Sequence, residues 1–347
     1  MATTPRNVII FGPTWVGDLV MATANFAALR RGLPDARITL LLKPGRYKVL
    51  DGSADFDEVL TEPARTVGEI WRLVRRLRAQ RFDTALLFSN SLRVALISFF
   101  AGIPRRIGYR RDVRSILLTD VVEYEREGAK RKPVPMPYFY GKLCESVGVP
   151  LDDPSAHLDV TDACERAASE QRERLGIESG ERLVGLNPGA SFGASKLWPA
   201  EHFAATADEL HRAHGLRTIL LVGPGEETIA DDIERHMQTP VINTAQNILP
   251  LDVLKPIIRD LQLLVTTDTG PRHYAAAVGT PVVTVMWPTD PRYSAVNLDQ
   301  SEVVRHDVPC GPCHLKVCPL DHRCMAGISP DEVLERVEAL DRRVGVF

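Results

Sequence analysis

The stretch Leu263–Ser294 constrains the fold more than any other part of the chain. It reads as an apolar strand, a tight turn at Asp268–Gly270, a short alanine-rich helix and a second apolar strand. Gly279 suits the end of that helix, because glycine adopts the left-handed conformation without strain, and Pro281 cannot continue the helix. A strand, a helix and a strand in this order place the two strands parallel in one sheet. The stretch therefore predicts an α/β protein.

The turn before that helix is also a candidate anion site. Backbone N–H groups and the positive end of the helix dipole attract negative charge at a helix N-terminus. Thr267, Thr269 and His273 add side-chain donors. Asp268 is a poor direct partner for phosphate and is better suited to hold the turn or to bind a hydroxyl or an amine. We interpret the segment as a diphosphate-binding turn; the alternative is an ordinary strand-to-helix turn with a capping aspartate.

Both halves of the chain repeat this alternation of strands and helices. In the first half, Asn7–Phe11 is a predicted strand and Val67–Gln80 a predicted amphipathic helix; in the second, Leu183–Leu186 restarts the pattern with a strand. Because such connections are right-handed, each half predicts a Rossmann-like doubly wound domain, and we expect the two domains to face a cleft. The predicted boundaries are 1–160, 161–329 and, for a final helix that packs back on the first domain, 330–347.

The composition is that of a globular protein, and the net charge does not indicate a strongly charged partner. The 347 residues are 44% hydrophobic and 25% charged, with a net charge of -3, which gives no case for nucleic-acid binding. The N-terminal residues enter a strand directly and do not resemble a signal peptide. No uncharged apolar run approaches the ~20 residues of a spanning helix. We therefore expect a cytoplasmic protein.

The turn Gly12–Asp18 places a carboxylate after the first predicted strand. Ligands of open α/β sheets bind at such strand ends. The glycine spacing matches neither the dinucleotide fingerprint nor the P-loop. Asp18 can be interpreted as a helix cap or as a general base that takes a proton from an attacking hydroxyl.

Two turns in the second half also carry unusual residues. The loop Asn187–Pro199 is rich in small residues and contains one cation, Lys196. A lysine among hydroxyl-bearing residues suits a diphosphate, although a solvated lysine on a flexible loop is the alternative. The turn Gly223–Glu227 combines glycines with a glutamate that can accept both hydroxyls of a ribose; otherwise its acids simply favour a helix start.

Four cysteines lie within fifteen residues near the C-terminus, with two histidines among them. The cysteines are Cys310, Cys313, Cys318 and Cys324. Four thiols suit tetrahedral zinc, but structural zinc ribbons and fingers place two ligand pairs farther apart. Structural thiols or a redox-labile pair is therefore the favoured interpretation, with structural zinc as the alternative.

These motifs, in this order, resemble the ADP-heptose:lipopolysaccharide heptosyltransferases of glycosyltransferase family nine, and most of all the heptosyltransferase II branch. The segments that carry the resemblance are NVIIFGPTWVGDLVM, NPGASFGASKLWPAEHFA, VGPGEE, TTDTGPRHYAAAVGTPVVTVMWPTDPRYS and CGPCHLKVCPLDHRCM. Together they extend over nearly the whole chain. The resemblance implies an inverting, metal-independent glycosyltransferase of the GT-B fold, with an acceptor-binding first domain and a nucleotide-sugar-binding second domain.

The resemblance also implies roles for individual residues. Asp18 is the expected general base, and Lys196 is expected to neutralise the leaving diphosphate. Glu227 is expected to hold the ribose or adenosine of the donor, with Glu226 as the less favoured position. The remaining residues of the expected donor site are Thr14, Gly17, Ser191, Asp268, Thr269, Gly270 and His273.

An arginine-rich loop is predicted from Arg105 to Arg114, with five arginines in ten residues. Such a run is usually a solvated surface. The acceptor of the family is an anionic, lipid-linked glycan, so the loop is also a candidate for contact with the acceptor or with lipid headgroups. We take Arg110 and Arg114 as the candidate acceptor-binding residues.

The expected reaction is transfer of L-glycero-D-manno-heptose from ADP-heptose to the inner core of lipopolysaccharide. No cofactor is required, and the expected partners are the donor, the acceptor and, peripherally, the inner face of the inner membrane. The alternatives are a family-nine transferase with another donor or acceptor, and a non-catalytic sugar-nucleotide-binding protein.

Overall fold

The computed structural model describes residues 4–63 and 65–347. The chain separates into two compact units. The first runs to Asp159 and also takes in Arg292–Val296, and the second comprises Val160–Pro291 and Asn297–Phe347.

The first unit contains a six-stranded sheet whose neighbouring strands are all parallel, in the order β3-β2-β1-β4-β5-β6. Its strands are β1 (Asn7–Phe11), β2 (Arg37–Leu42), β3 (Glu58–Thr61), β4 (Thr84–Leu87), β5 (Arg105–Tyr109) and β6 (Asp120–Val122). A separate antiparallel pair is formed by β7 (Arg126–Glu127) and β8 (Lys130–Arg131). The chain starts at the middle of the sheet, winds to one edge and then returns to fill the other side.

The second unit repeats this topology in a sheet of order β11-β10-β9-β12-β13-β14, again with parallel neighbours. Its strands are β9 (Leu183–Asn187), β10 (Arg217–Leu220), β11 (Val241–Asn243), β12 (Leu263–Thr267), β13 (Val282–Val285) and β14 (Ser301–Val304). Both orders are those of doubly wound nucleotide-binding sheets. The prediction of two Rossmann-like doubly wound sheets is confirmed.

Twelve α-helices connect and cover these strands in the described part of the chain. In the first unit they are α1 (Val16–Met21), α2 (Thr23–Gly32), α3 (Val67–Gln80), α4 (Leu92–Phe100) and α5 (Met136–Glu145). In the second they are α6 (Asp162–Arg174), α7 (Ala200–His214), α8 (Glu227–His236), α9 (Leu254–Arg259), α10 (Gly270–Val278), α11 (Arg323–Ala326) and α12 (Pro330–Val344).

Local sequence explains where several of these elements begin. Thr66 and Glu69 form a capping box at the start of α3, and Ser329 and Glu332 form another at the start of α12. Each box satisfies backbone N–H groups that have no partner within the helix. The central strands are buried on both faces and therefore read as continuous apolar runs, as in Asn7–Phe11.

One element differs from the sequence prediction. The predicted arginine-rich loop contains strand β5, because its arginines are held by distant partners: Arg105 binds Asp120 and the carbonyl of Ser146. The chain after β1 forms two helices, α1 and α2, that meet at Ala22.

The last helix contributes to the core of the second unit. Val333, Val337 and Leu340 of α12 are buried in the core of the second unit, together with Val283 and Val285 of β13. The apolar face of α12 is therefore part of the core of the second unit.

Candidate active site

In the second unit, the candidate residues lie where the direction of winding changes. Strands β9 and β12 are neighbours at the centre of the sheet, and the chain leaves them toward opposite edges. Ligands of open α/β sheets bind beyond the carboxyl ends of the strands at this point. The loop after β9 carries Lys196, and the turn after β12 carries Asp268.

A buried ion cluster joins these two segments. The Nζ of Lys196 donates to Oδ2 and to the carbonyl oxygen of Asp268, each at 2.6 Å. Arg272 donates from Nη1 to Oδ1 of Asp268 at 3.1 Å, and the hydroxyl of Thr289 donates to Oδ2 at 2.6 Å. Lys196 and Arg272 are 6% and 3% exposed. Two cations thus share one buried carboxylate.

The surroundings of Asp268 keep its carboxylate ionised near neutral pH. Burial alone would raise the pKa of Asp268, but the charges of Lys196 and Arg272 outweigh it and keep that pKa well below its usual range. The stability from these contacts is therefore fully present above the ordinary aspartate pKa and is lost only as the pH falls through the lowered value. Burial and the charge of Arg272 lower the pKa of His273 to about 3, so this ring is neutral and can contribute a hydrogen bond without adding charge.

Asn187, at the end of β9, orders the turn before α10. Its Oδ1 accepts hydrogen bonds from the hydroxyls of Thr269 at 2.7 Å and Thr266 at 3.1 Å, and its Nδ2 donates to the carbonyl of Leu221. Thr269 is the N-cap residue of α10, yet its side chain makes no cap bond to that helix. The first turn of α10, starting at Gly270, is therefore positioned by Asn187 rather than closed by a capping side chain.

The turn before α8 carries the two predicted glutamates. Glu226 accepts from the N–H of Gly223 at 2.8 Å, and Glu227 accepts from the N–H of Gly225 at 3.1 Å. Hydrogen bonds from its own N–H and from Gly225 lower the pKa of Glu227. Both carboxylates stabilise the turn, and Glu227 remains an ionised acceptor at neutral pH.

The cysteine-rich segment Cys310–Cys324 packs against the loop that carries Lys196. The hydroxyl of Ser195 donates to the carbonyl of Leu315 at 2.5 Å, and the N–H of Ser195 donates to the carbonyl of Lys316 at 3.0 Å. The ring of His322 lies 2.8 Å from the carbonyl oxygen of Ser195 through Nε2. The segment thus holds the residue next to Lys196 from two sides.

The same segment contacts the loop that carries Thr289. The N–H of His314 donates to the carbonyl of Pro288 at 3.3 Å, and a Cβ at Gly311 would lie 2.2 Å from the ring of Trp287. Lys196 and Thr289 both bind Asp268, so one segment supports two of the three side chains that surround that carboxylate.

The structure does not arrange the cysteines as a metal centre. All six cysteines are free thiols. Within residues 4–63 and 65–347, no three His, Cys, Asp or Glu side chains are placed so that they could hold one ion. The zinc alternative thus has no support in the described geometry, and the contacts above give the segment a packing role.

The first unit contains a pocket of about 740 Å³ at the corresponding point of its own sheet. It lies beyond β1 and β4, which are neighbours at the centre. Its lining includes Thr14 from the turn after β1, Asp18 from α1, residues 88–92 after β4, and residues of α5.

Asp18 lies in the first turn of α1, and Trp15 is the N-cap residue. The helix-cap interpretation of Asp18 therefore does not describe this structure. Aromatic side chains form the facing wall, where Phe88 stacks on the buried ring of Tyr140 with centroids 4.7 Å apart. Burial, and next the charge of Asp18, raise the pKa of Tyr140 well above its usual range. Asp18 thus places a negative charge beside an apolar wall, inside a pocket large enough for a sugar.

Arg114 is the other charged group of this pocket with unusual surroundings. It is 1% exposed, and its Nη1 donates to Oδ1 of Asn90 at 3.0 Å. Its Nε and Nη2 have no hydrogen-bond partner among the described residues. A Cβ at position 108 would lie 2.6 Å from Nη2, so Gly108 provides the space for this guanidinium. Unpaired buried donors are costly, so this guanidinium is an unusual feature of the pocket lining.

The comparison with known proteins identifies the family. The profile of glycosyltransferase family 9 (heptosyltransferase) matches residues 70–323. This chain belongs to glycosyltransferase family 9. It is therefore a glycosyltransferase, as the sequence motifs predict.

Several members of the family are similar to this glycosyltransferase over nearly their whole length. Lipopolysaccharide heptosyltransferase 2 of Escherichia coli K12 is 28% identical, covering 96% of this chain and 98% of that protein. The structure of E. coli ADP-heptose lps heptosyltransferase II matches with a TM-score of 0.79 at 26% identity, covering 96% and 98% of the two chains. E. coli heptosyltransferase WaaC with ADP has a TM-score of 0.68 at 16% identity, covering 99% and 100%, and thus shares the fold. The predicted GT-B fold class is confirmed.

The glycosyltransferase brings together only some of the predicted residues. Lys196, Asp268, Thr269 and His273 lie in one region of the second unit, and Ser191 is exposed on the same loop as Lys196. In the first unit, Arg114 lines the pocket with Asp18 and Thr14, whereas Arg110 pairs with Glu123 and does not line it. Arg111 lines the pocket in its place. Gly17 lies in α1, next to Asp18.

Other residues of these sites were not predicted. Arg272 follows Asp268 by four positions, a spacing typical of ion pairs on helices, so a local signal was present. Thr289, Asn90 and Tyr140 reach the sites from segments distant in sequence, and no local pattern indicates them.

In the part of the chain that the structure describes, no helix has the length and apolar character needed to cross a bilayer.

Proposed function

We propose that this glycosyltransferase moves L-glycero-D-manno-heptose from ADP-heptose to the inner core of lipopolysaccharide, with inversion at the anomeric carbon. The observation that carries the proposal is the buried cluster in which the cations Lys196 and Arg272 meet at Asp268, beside the start of α10. In a family 9 chain, this is where a departing nucleoside diphosphate would find compensating charge.

The names of the relatives support the donor and acceptor. The similar E. coli proteins are called lipopolysaccharide heptosyltransferase 2 and ADP-heptose lps heptosyltransferase II. In this proposal Glu227 accepts from the ribose hydroxyls, and Thr14, Gly17 and Ser191 complete the donor site. His273 donates a hydrogen bond to the diphosphate as a neutral ring.

The proposed chemistry is a single displacement. A carboxylate oxygen of Asp18 takes the proton of the acceptor hydroxyl as that oxygen attacks the anomeric carbon of the heptose. The bond from that carbon to the diphosphate breaks, and ADP leaves with the electron pair. Lys196, Arg272 and the dipole of α10 stabilise the negative charge on ADP, and we propose that no divalent ion is needed for this step.

The pocket in the first unit suits a sugar acceptor that carries an anionic group. Asp18 supplies the base, aromatic rings supply an apolar wall, and Arg114 supplies a positive charge in the lining. We propose that Arg114 binds a carboxylate or phosphate of the acceptor, and that Arg111 rather than Arg110 assists it.

The donor can be tested with a panel of nucleotide sugars and a lipopolysaccharide acceptor truncated at the inner core. We expect mass spectrometry to detect one added heptose with ADP-heptose, and no product with UDP- or GDP-sugars. Transfer from another donor would replace the proposal with a different family 9 activity, and nucleotide binding without any transfer would favour a binding protein.

A second test concerns the support of Lys196 by the cysteine-rich segment. Gly193 has a φ of 154°, and a Cβ there would lie 2.3 Å from the carbonyl oxygen of Lys316. A Gly193→Ala substitution must therefore displace one of the two backbones and with it Lys196. We expect ADP affinity, measured by calorimetry, to fall about tenfold or more, since small displacements of positioned groups have large effects.

Gly68→Ala provides the matched control for that substitution. A Cβ at Gly68 meets nothing within 4 Å, so ADP affinity should stay unchanged. If Gly193→Ala lowers the melting temperature but binds ADP as tightly as the natural protein, the segment only stabilises the fold and does not position Lys196.

A further inference from the structure

Helix α4 presents apolar side chains to solvent. Its inward face buries Ala95, Ile97 and Ser98. Its outward face carries Leu92, Phe99 and Phe100, each more than 40% exposed. A surface helix of a soluble protein normally shows polar residues on its outer face. The apolar outer face of α4 is therefore a candidate interaction surface.

Neighbouring elements extend this surface. The ring of Trp71, on α3, lies 5.4 Å from that of Phe100 and is 46% exposed. The short helical turn Asp112–Leu117 packs on α4 and exposes Val113 and Ile116. We call these six residues the α4 patch: Trp71, Leu92, Phe99, Phe100, Val113 and Ile116. Exposed apolar groups gathered in this way mark interaction surfaces.

Arginines contact the aromatic residues of the α4 patch. The segment from Thr66 to Leu118 contains eleven arginines and three acidic residues, although the whole chain has a net charge of -3. Arg78 donates to the carbonyl of Phe100, and the guanidinium of Arg106 lies 5.4 Å from the centre of the Phe99 ring. Two guanidinium groups therefore lie directly against the aromatic residues of the patch, within a segment in which arginines outnumber acids.

This combination matches the surface of an anionic bilayer. Tryptophan is favoured at the level of the headgroups, phenylalanine and leucine enter the boundary of the acyl chains, and each nearby arginine adds attraction to anionic lipids. A second copy of this chain fits less well, because a symmetric contact would bring both sets of arginines together.

We propose that the α4 patch docks the first unit on an anionic membrane surface. Leu92 and Val113 belong both to the patch and to the lining of the Asp18 pocket. Docking would therefore place the pocket next to the lipid surface, where a lipid-linked acceptor presents its sugars. The docking itself needs no donor and no turnover, so it can be tested independently of the proposed sugar transfer.

The test is flotation of the full chain with vesicles of phosphatidylglycerol and phosphatidylethanolamine, compared with vesicles of phosphatidylcholine alone. We expect binding to the anionic vesicles, weaker binding at about 0.5 M salt because screening shortens the reach of the arginines, and little binding to the neutral vesicles. The double variant Phe99→Ser/Phe100→Ser should bind the anionic vesicles at least about tenfold more weakly than the natural protein, since two interfacial rings are lost. Neither residue lines the pocket, so transfer to a water-soluble acceptor fragment should be retained.

The matched control replaces two exposed leucines of the second unit, Leu315→Ser and Leu320→Ser, and should bind like the natural protein. Equal binding of the Phe99/Phe100 variant and the natural protein would overturn the proposal, as would equal binding to anionic and neutral vesicles. A third outcome would also overturn the proposal: the natural protein binds neither kind of vesicle but forms dimers in sedimentation experiments, and the double variant is monomeric. That result would assign the patch to contact with a second copy of the chain.

Discussion

The Asp18→Asn enzyme is expected to transfer heptose about 100 to 10,000 times more slowly than the natural enzyme, the range that general-base catalysis supplies. Asparagine keeps the size of the side chain but cannot take up the proton of the acceptor hydroxyl. ADP affinity should be unchanged, because the groups that we assign to the diphosphate belong to the second unit. The measurements are kcat with ADP-heptose and a truncated lipopolysaccharide, and calorimetric titration with ADP.

Asp112→Asn is the control for this substitution. Asp112 lines the same pocket but its side chain is 81% exposed, and it adopts a positive φ that asparagine tolerates. We expect its kcat to stay within about twofold of that of the natural enzyme. Similar losses in both variants would mean that the pocket needs negative charge rather than a base at position 18, and full activity of Asp18→Asn would remove Asp18 from the mechanism.

Replacing Lys196 by methionine is expected to lower kcat by about 100- to 1,000-fold, the usual effect of removing one preorganised donor to a developing charge. Methionine keeps most of the volume of the buried side chain while it removes the cation beside the leaving diphosphate. ADP should also bind more weakly. Single-turnover rates at saturating donor separate the chemical step from this loss of affinity.

The stability of that variant must be measured with its activity. Breaking a buried ion pair costs about 3–5 kcal/mol, and we expect the lower end here because Arg272 and Thr289 still bind Asp268. The control is Lys316→Met, which removes an exposed lysine from the adjoining segment and should change neither property. If Lys196→Met melts at a lower temperature but turns over normally, Lys196 is structural, and the leaving group is stabilised elsewhere.

Much of the fold can be predicted from local sequence. The limits of β1 and α3 agree with the predicted Asn7–Phe11 and Val67–Gln80. Buried parallel strands read as apolar runs, and an amphipathic helix repeats its apolar residues at helical spacing, so both signals lie within the segment itself. Local sequence also indicates the candidate site residues Asp18, Lys196 and Asp268. Each follows a predicted strand in a glycine-containing turn, and ligands of such sheets bind at the strand ends.

The arginines show where this reasoning fails. A run of charges predicts a solvated loop, yet Arg105 lies in a strand and Arg114 is buried. Their partners Asp120, Ser146 and Asn90 are 15 to 41 residues away. Helix α4 is the opposite case. A helix that is apolar on all sides is usually buried, but one face of α4 is exposed.

The sequence alone therefore determined the fold class, the family and the candidate site segments, because each of these depends on short local motifs and their order along the chain. Only the tertiary structure decided that Asp268 binds Lys196, that the cysteine-rich segment supports the Lys196 loop, and that Arg114 rather than Arg110 reaches the Asp18 pocket. Lys196 and Asp268 are 72 residues apart, and they meet because strands β9 and β12 are neighbours in the sheet. Contacts of that kind follow from the order of strands, which no local pattern specifies.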